Sequence, residues 1–370
     1  MILIHSVSLA DKSGDDNWVL LDHEIRQIGQ GESWRDLEFD DLIDGSGLLL
    51  SRPFIETHTH GLEGHAVEDG IASMRAIRQS QKKCGVARSI LSLVSSPHDR
   101  ILELIAEAKV LMKEDPGFLG LHLEGPYIAE ARCGAHDKEA LRKPTDAELS
   151  ELVRAAEFET GGSAIASMTI AAELFSNSQL SLLTESGMVL CLGHTEANYE
   201  QAKYFFGQSR RVLTHTYNAM DPIGHRDPGP IPAAIEAPNT FLELIADGHH
   251  VKPSAANILP KEKLILVSDS MAAAAQSDGT YMLGTLEVKV ADGVATTASG
   301  SLAGSTLTLD KAVANYVSWG NSLQESVRCA VENPAAAYGL KTAPISDGEN
   351  ADLLLIGPNG HLVRTFDGRS

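Results

Sequence analysis

Long apolar runs are missing from this sequence, as are paired cysteines and any excess of basic charge. No stretch approaches the roughly 20 apolar residues that a bilayer span requires, so membrane-spanning helices are not expected. The cysteines (Cys84, Cys133, Cys191 and Cys329) lie scattered without paired spacing, which argues against a disulfide framework or a cysteine-rich zinc site. A reduced cytoplasm suits that usage best. The start, Met1-Ile-Leu-Ile-His-Ser-Val7, reads as a strand and lacks the basic segment, long apolar core and cleavage site of a secretory signal. Lys and Arg number 30 against 50 Asp and Glu, a formal charge of −20. Nucleic acid and anionic membranes are therefore not expected partners. Screening confines that charge to about 10 Å at ordinary salt, so a local cluster of Arg and His could still hold an anion. Repeats, low-complexity tracts and long linkers are absent as well.

What is present suffices for a large core: 43% of 370 residues are apolar. An α/β barrel occupies about 250 residues as one domain, and the remainder suits a small second one. Strand-like runs fall near residues 54–60, 87–94, 118–124, 165–170, 188–193, 211–215, 241–246 and 264–269. Helical patterns follow most of them, at 69–83, 98–114, 145–160, 173–186, 196–206 and 306–319. Eight such alternations predict a (β/α)8 barrel of the TIM type over residues 53–343. Residues 281–298 read as a hairpin inserted after the eighth strand. Residues 1–50 read as short strands with turns at Asp15-Asp16-Asn17 and Asp44-Gly45, and the C-terminal strands read the same way. Both ends, 1–52 and 344–370, are expected to form a small β-sandwich domain beside the barrel.

Five of the barrel strands deliver a metal-binding residue type just before Gly, Pro or a polar loop. They are Phe54-Ile-Glu-Thr-His58-Thr-His60, Leu119-Gly-Leu-His122-Leu-Glu124, Val189-Leu-Cys-Leu-Gly-His194, Val212-Leu-Thr-His215 and Leu264-Ile-Leu-Val-Ser-Asp269. Side chains alternate along a strand, so His58 and His60 share one face, as do His122 and Glu124. Glu124, His194 and His215 make a three-ligand set of two nitrogens and an oxygen, which leaves a coordination position for water. His58 and His60 are candidate ligands of a second ion, with Glu124 as the bridge. His122, one layer deeper, reads as a hydrogen-bonded core histidine. Asp269 is the candidate for proton transfer: beside water whose pKa a cation has lowered, it could take a proton and pass it to a leaving amine. Singly, each of these residues has an ordinary structural reading, as a helix cap, a surface pair or a satisfied histidine. A His and carboxylate set suits zinc, iron, manganese or cobalt equally well, with one or two ions per chain.

A second ring of residues looks suited to substrate. Gly134-Ala135-His136 follows the third strand, Asn218-Ala219-Met220 follows His215, and Asp247-Gly-His249-His250 ends the seventh strand. His225-Arg226-Asp-Pro-Gly229 offers a guanidinium in a loop, where its planar fork could clamp a phosphate or carboxylate. The fourth strand, Ser167-Met-Thr-Ile-Ala-Ala-Glu173, ends without the lysine that many binuclear barrel hydrolases use as a carbamylated bridge.

With these motifs in this order, the chain resembles the N-acetylglucosamine-6-phosphate deacetylases of the amidohydrolase superfamily over nearly its whole length. The most specific stretches are His122-Leu-Glu-Gly-Pro126, Leu192-Gly-His-Thr195, Thr214-His-Thr-Tyr-Asn-Ala-Met220, His225-Arg-Asp-Pro-Gly229, Ala246-Asp-Gly-His-His250 and Ser301-Leu-Ala-Gly-Ser305. The resemblance implies a hydrolase of a linear amide that releases acetate from the 6-phosphorylated sugar, usually as a homodimer. It assigns the principal metal to Glu124, His194 and His215 and acid–base work to Asp269. It assigns substrate contacts to His136, Asn218, Ala219, Arg226 and His250, and places Leu302, Ala303 and Gly304 near the sugar. Family members that keep the first His-X-His hold two metals, and this chain keeps it. Two positions depart from the family pattern, Glu56 in place of Asp and Ala172 in place of Pro. Two other readings stay open: the same machinery acting on N-acetylgalactosamine 6-phosphate or another acyl amide, and a barrel without catalysis that serves as a binding protein.

Overall fold

The computed structural model describes residues 1–368. Eight parallel strands form the barrel: Phe54–Glu56, Val86–Leu93, Phe118–Glu124, Ile165–Ile170, Val189–Leu192, Arg211–Leu213, Thr240–Ile245 and Leu264–Val267. Each pairs with its chain neighbour, as right-handed crossovers through intervening helices dictate. Among the described residues, no helix is long and apolar enough to cross a membrane.

The helices begin where short polar side chains can cap them. Thr145 accepts from Glu148 N, and Ser176 with Gln179 and Asn198 with Gln201 form reciprocal capping boxes. Two helices on the sixth and seventh crossovers, Pro230–Glu236 and Pro253–Ala256, escaped the sequence reading because each opens on proline. Proline is tolerated in a first helical turn, where its missing N–H would have had no partner. The inserted element is a three-stranded antiparallel sheet rather than a hairpin (Gly279–Leu283, Leu286–Ala291, Val294–Thr297). Asp292 and Gly293 both have positive φ and make the tight turn that adds the third strand.

The chain ends share one seven-stranded sheet, with strands Ile2–Leu9, Asn17–Leu21, Ile25–Gln30, Asp41–Asp44 and Leu49–Ser51 joined by Leu353–Ile356 and Leu362–Phe366. Its first strand pairs with Asp41–Asp44 through its first half and with Leu49 and Leu50 through its second. The sheet thereby folds around a core of Ile4, Val7, Val19, Leu21, Leu50, Leu353 and Leu355. Asn17 opens a strand instead of closing a turn, because its amide donates to Val7 O and Gly14 O.

The barrel closes unevenly between its first and eighth strands. At the bottom a wedge of chain separates them: Ile55 N donates to Ala330 O at 2.8 Å and Leu266 N to Cys329 O at 2.9 Å. Midway, the Glu56 carboxyl bridges the gap, accepting from His58 N and Ser268 N, each at 3.1 Å. Only at the top do the backbones meet, with Asp269 N donating to His58 O and His60 N to Ser270 O.

Candidate active site

At the C-terminal mouth of the barrel, the ends of strands one, three, five, six and eight converge, as expected of this architecture. Strands one, five, six and eight stop just short of the candidate residues, so these sit on the first bends beyond the ladder. His194, His215 and Asp269 have φ of 47°, 25° and 46°, the left-handed region that non-glycine residues enter only where surroundings enforce it. Gly193 beside His194 admits no Cβ, which would lie 2.7 Å from Thr214 Cβ. Gly125 after Glu124 is equally constrained, by Ser95 Oγ at 2.2 Å.

Glu124 is the hub. Its Oε1 lies 3.0 Å from His215 Nε2 and 3.2 Å from His194 Nε2. Its Oε2 lies 3.1 Å from His60 Nε2 and 3.3 Å from His136 Nε2. Asp269 Oδ1 faces the other side, 3.3 Å from His60 Nε2 and 3.4 Å from His58 Nε2. His58, His60 and Asp269 form one group with metal-ligating geometry, and Glu124, His136 and His194 another. Membership of His136 rests on proximity alone. Its Nδ1 accepts from Ser95 N at 3.1 Å, so in the neutral ring Nε2 carries the proton and acts as a donor. Burial holds this ring down to about 4, hence neutral. His194 is the reverse case: its Nδ1 donates to Arg132 O at 2.6 Å, which leaves a lone pair on Nε2.

The donor set fits a divalent transition metal. Nε2 of His194 and of His215 stand 3.0 Å apart, and those of His58 and His60 3.2 Å apart, both pairs buried against carboxylates. Four ring nitrogens facing one another across two acidic side chains are cross-linked better by cations than by hydrogen bonds. The local field agrees. Burial opposes charge on His60, yet Asp269 and Glu124 outweigh it and carry the ring up to about 9. Burial likewise opposes charge on Asp269, but His58 and His60 pull its carboxyl down to about 2.

His122 lies below this layer, bound to Ser92 Oγ at 2.9 Å and Thr169 Oγ1 at 2.7 Å. Burial, followed by the charge on His58, holds it well below the usual histidine range. It is a satisfied core histidine, in keeping with its depth on the strand.

Above the cluster is a cavity of about 280 Å³, near the lower end of the 300–1,000 Å³ typical of small-molecule sites. Ala135, His136, Asn218, Ala219, His250, Leu302 and Gly304 line it together with His60, Glu124, His194, His215 and Asp269. Three expected residues do not. Asp247 instead holds His250, its Oδ2 accepting from Nδ1 at 2.6 Å. Burial would lower His250, but Asp247 outweighs it and raises the ring above its ordinary value. Ala303 is fully buried in an apolar cluster with Met271 and Val288. Arg226 is exposed on its loop, outside the lining.

Gly134, Val94, Ile245 and Leu283 complete the lining, and the last three went unread, since apolar residues carry no motif. Glu243 is the other omission. A lone carboxylate inside the apolar strand Thr240-Phe-Leu-Glu-Leu-Ile245 was a legible signal: it is buried and contacts His58 Nδ1 at 3.0 Å.

Two groups of candidate metal ligands at the mouth of an eight-stranded barrel point to a class, the barrel hydrolases, and the family comparison agrees. Residues 53–369 match the amidohydrolase family, and the chain belongs to it. The N-acetylglucosamine-6-phosphate deacetylase of Vibrio furnissii is 30% identical over 368 residues, covering 97% of this chain and 91% of that protein. The N-acetylgalactosamine-6-phosphate deacetylase of Escherichia coli O157:H7 is 32% identical over 328 residues, 86% of each chain. A point variant of the Mycobacterium smegmatis N-acetyl-D-glucosamine-6-phosphate deacetylase, solved with N-acetyl-D-glucosamine-6-phosphate, matches with a TM-score of 0.88. It is 28% identical and covers 99% of this chain and 98% of that one.

Proposed function

We propose that this chain is a metal-dependent deacetylase that hydrolyses N-acetylglucosamine 6-phosphate to glucosamine 6-phosphate and acetate. The observation that carries this is the Glu124 carboxylate, whose two oxygens serve two sets of histidines while Asp269 faces it across the same cavity. Glu124, His194 and His215 would hold one divalent cation, and His58 and His60, with Asp269 beside them, a second. A cation there supplies a Lewis acid that polarises the acetyl carbonyl and acidifies water.

The chain's own groups do the rest. Asp269, ionised because of its neighbours, takes the proton of the attacking water and hands it to the sugar nitrogen, turning a poor leaving group into an amine. His136, neutral and carrying its proton on Nε2, donates to the acyl oxygen as negative charge develops there. His250, whose ring Asp247 makes more basic, and Arg226 on the neighbouring loop would receive the phosphate, with Asn218, Ala219 and the segment of Leu302, Ala303 and Gly304 beside the sugar. The named activity of the Vibrio furnissii relative supports this substrate.

The E. coli O157:H7 relative supports a second reading, the galacto epimer, which differs by one hydroxyl. We further propose zinc, iron, manganese or cobalt as the metal, a cytoplasmic homodimer as the working form, and a terminal β domain of residues 1–52 and 344–370 beside a barrel of 53–343. Acetate release from both phosphorylated epimers and from unphosphorylated N-acetylglucosamine, after loading with each metal, tests the reading. Preference for the phosphorylated gluco sugar is expected. No release from any of the three would overturn it.

A further inference from the structure

We propose that Glu243 is a positioning residue that makes His58 a metal ligand, and that the second ion therefore depends on a carboxylate two strands away. This rests on the two-ion reading above. Burying a carboxylate is costly unless it is fully partnered, and Glu243 is only 1% exposed. Both its side-chain partners belong to the first strand and its exit: Oε2 meets His58 Nδ1 at 3.0 Å and Oε1 accepts from Thr57 Oγ1 at 3.2 Å. Strands one and seven are separated by the eighth, but alternate strands of a barrel share layers of inward side chains. The contact thus spans the strand pair whose own ladder is broken.

A ring that ligates a cation through one nitrogen carries its one proton on the other. A carboxylate opposite Nδ1 keeps that proton on Nδ1 and so reserves Nε2 for the ion. Nε2 faces His60 Nε2, 3.2 Å away, and Asp269 Oδ1, 3.4 Å away. An anionic partner also raises the basicity of the ligand nitrogen. The other candidate rings are held differently. His194 has a backbone carbonyl opposite Nδ1, and among the described residues Nδ1 of His60 and of His215 has no partner. The backbone of Glu243 reaches the other ion's side as well, its carbonyl accepting from Thr216 N at 2.8 Å, next to His215. Glu243 does not line the cavity, so it acts through His58 and not on substrate.

The test counts metal on the intact, zinc-loaded chain during titration with a chelator, beside acetate release. Wild type should hold two ions, one lost before the other. Glu243→Leu should retain one. Glu243→Gln, whose amide oxygen accepts the same Nδ1–H without charge, should keep both, with the weaker ion held about 10–100-fold less tightly. His58→Gln should also hold one ion, and adding Glu243→Leu to it should remove nothing further, because the two changes act on one contact. Two ions of unaltered chelator resistance in Glu243→Leu would overturn the role of Glu243 alone. Loss of the remaining ion in the double variant would do the same, marking Glu243 as a general support of the fold. Should Glu243→Leu fail to fold, unchanged affinity in Glu243→Gln would still overturn it. A single ion in wild type, unaffected by His58→Gln, would remove the two-ion reading and this inference with it.

Discussion

The two sides of the cluster are made of similar side chains but stand on different ground. Glu124 closes strand three, and His194 and His215 sit on the first bends beyond strands five and six, all within one continuous run of paired strands. His58, His60 and Asp269 sit just beyond strands one and eight, the two ends of that run. There the backbones touch only at the top, and a buried carboxyl and a wedge of chain fill the gap below. Strands paired on both sides anchor the bends that follow them through many shared hydrogen bonds, whereas a seam relies on a few side chains. The lesson is that the number of candidate ligands alone does not rank the two sides of such a cluster. Rigidity of the supporting backbone and the carboxylates behind it do, and the seam side should be the more exchangeable.

Breaking the hub should abolish the distinction altogether. Glu124→Gln removes the charge both sides share, and metal content should fall below one ion per chain with acetate release at assay background. Retention of two ions would show that Glu124 is not their bridge. Asp269→Asn should keep the fold and at least the ladder-side ion yet lower kcat by roughly 10² to 10⁴, the usual range for lost acid–base help. Turnover close to wild type would exclude Asp269 from proton transfer. The pair His58→Gln and His60→Asn should empty only the seam side, taking the content from two ions towards one while leaving measurable activity. One ion in fully active wild type, unchanged by that pair, would contradict the two-ion reading.

Acidity sharpens the comparison. At pH 7 the His60 ring, carried up to about 9, holds a proton that an entering cation must displace. Lower pH therefore favours the metal-free chain, and each unit below about 9 should weaken the seam-side ion by up to about tenfold per proton displaced. Proton release on metal uptake in weakly buffered solution measures this, and uptake without release at pH 7 would refute it. The smallest effect is expected at Arg226, exposed at the rim. Arg226→Ala should raise KM for the phosphorylated sugar about tenfold, equivalent to about 1.4 kcal/mol, with little change for the unphosphorylated one. An equal rise for both would place Arg226 outside phosphate recognition.

The alternation of strands and helices, the inward face shared by His58 and His60, and the strand-end positions of Glu124, His194, His215 and Asp269 were all legible in the sequence. They depend on local periodicity, which a chain carries residue by residue. The helices that open on Pro230 and Pro253 were not, since proline reads first as a breaker. Nor was the contact by which Asp247, itself singled out in the sequence, holds His250. The sequence by itself determined which side chains could bind metal and on which face of each strand they stand. Only the tertiary structure decided that His136 presents N–H while His194 presents a lone pair, and that Glu243 stands behind His58. Those outcomes turn on which atoms meet across the barrel, and closure of the sheet brings together residues that spacing along the chain does not relate.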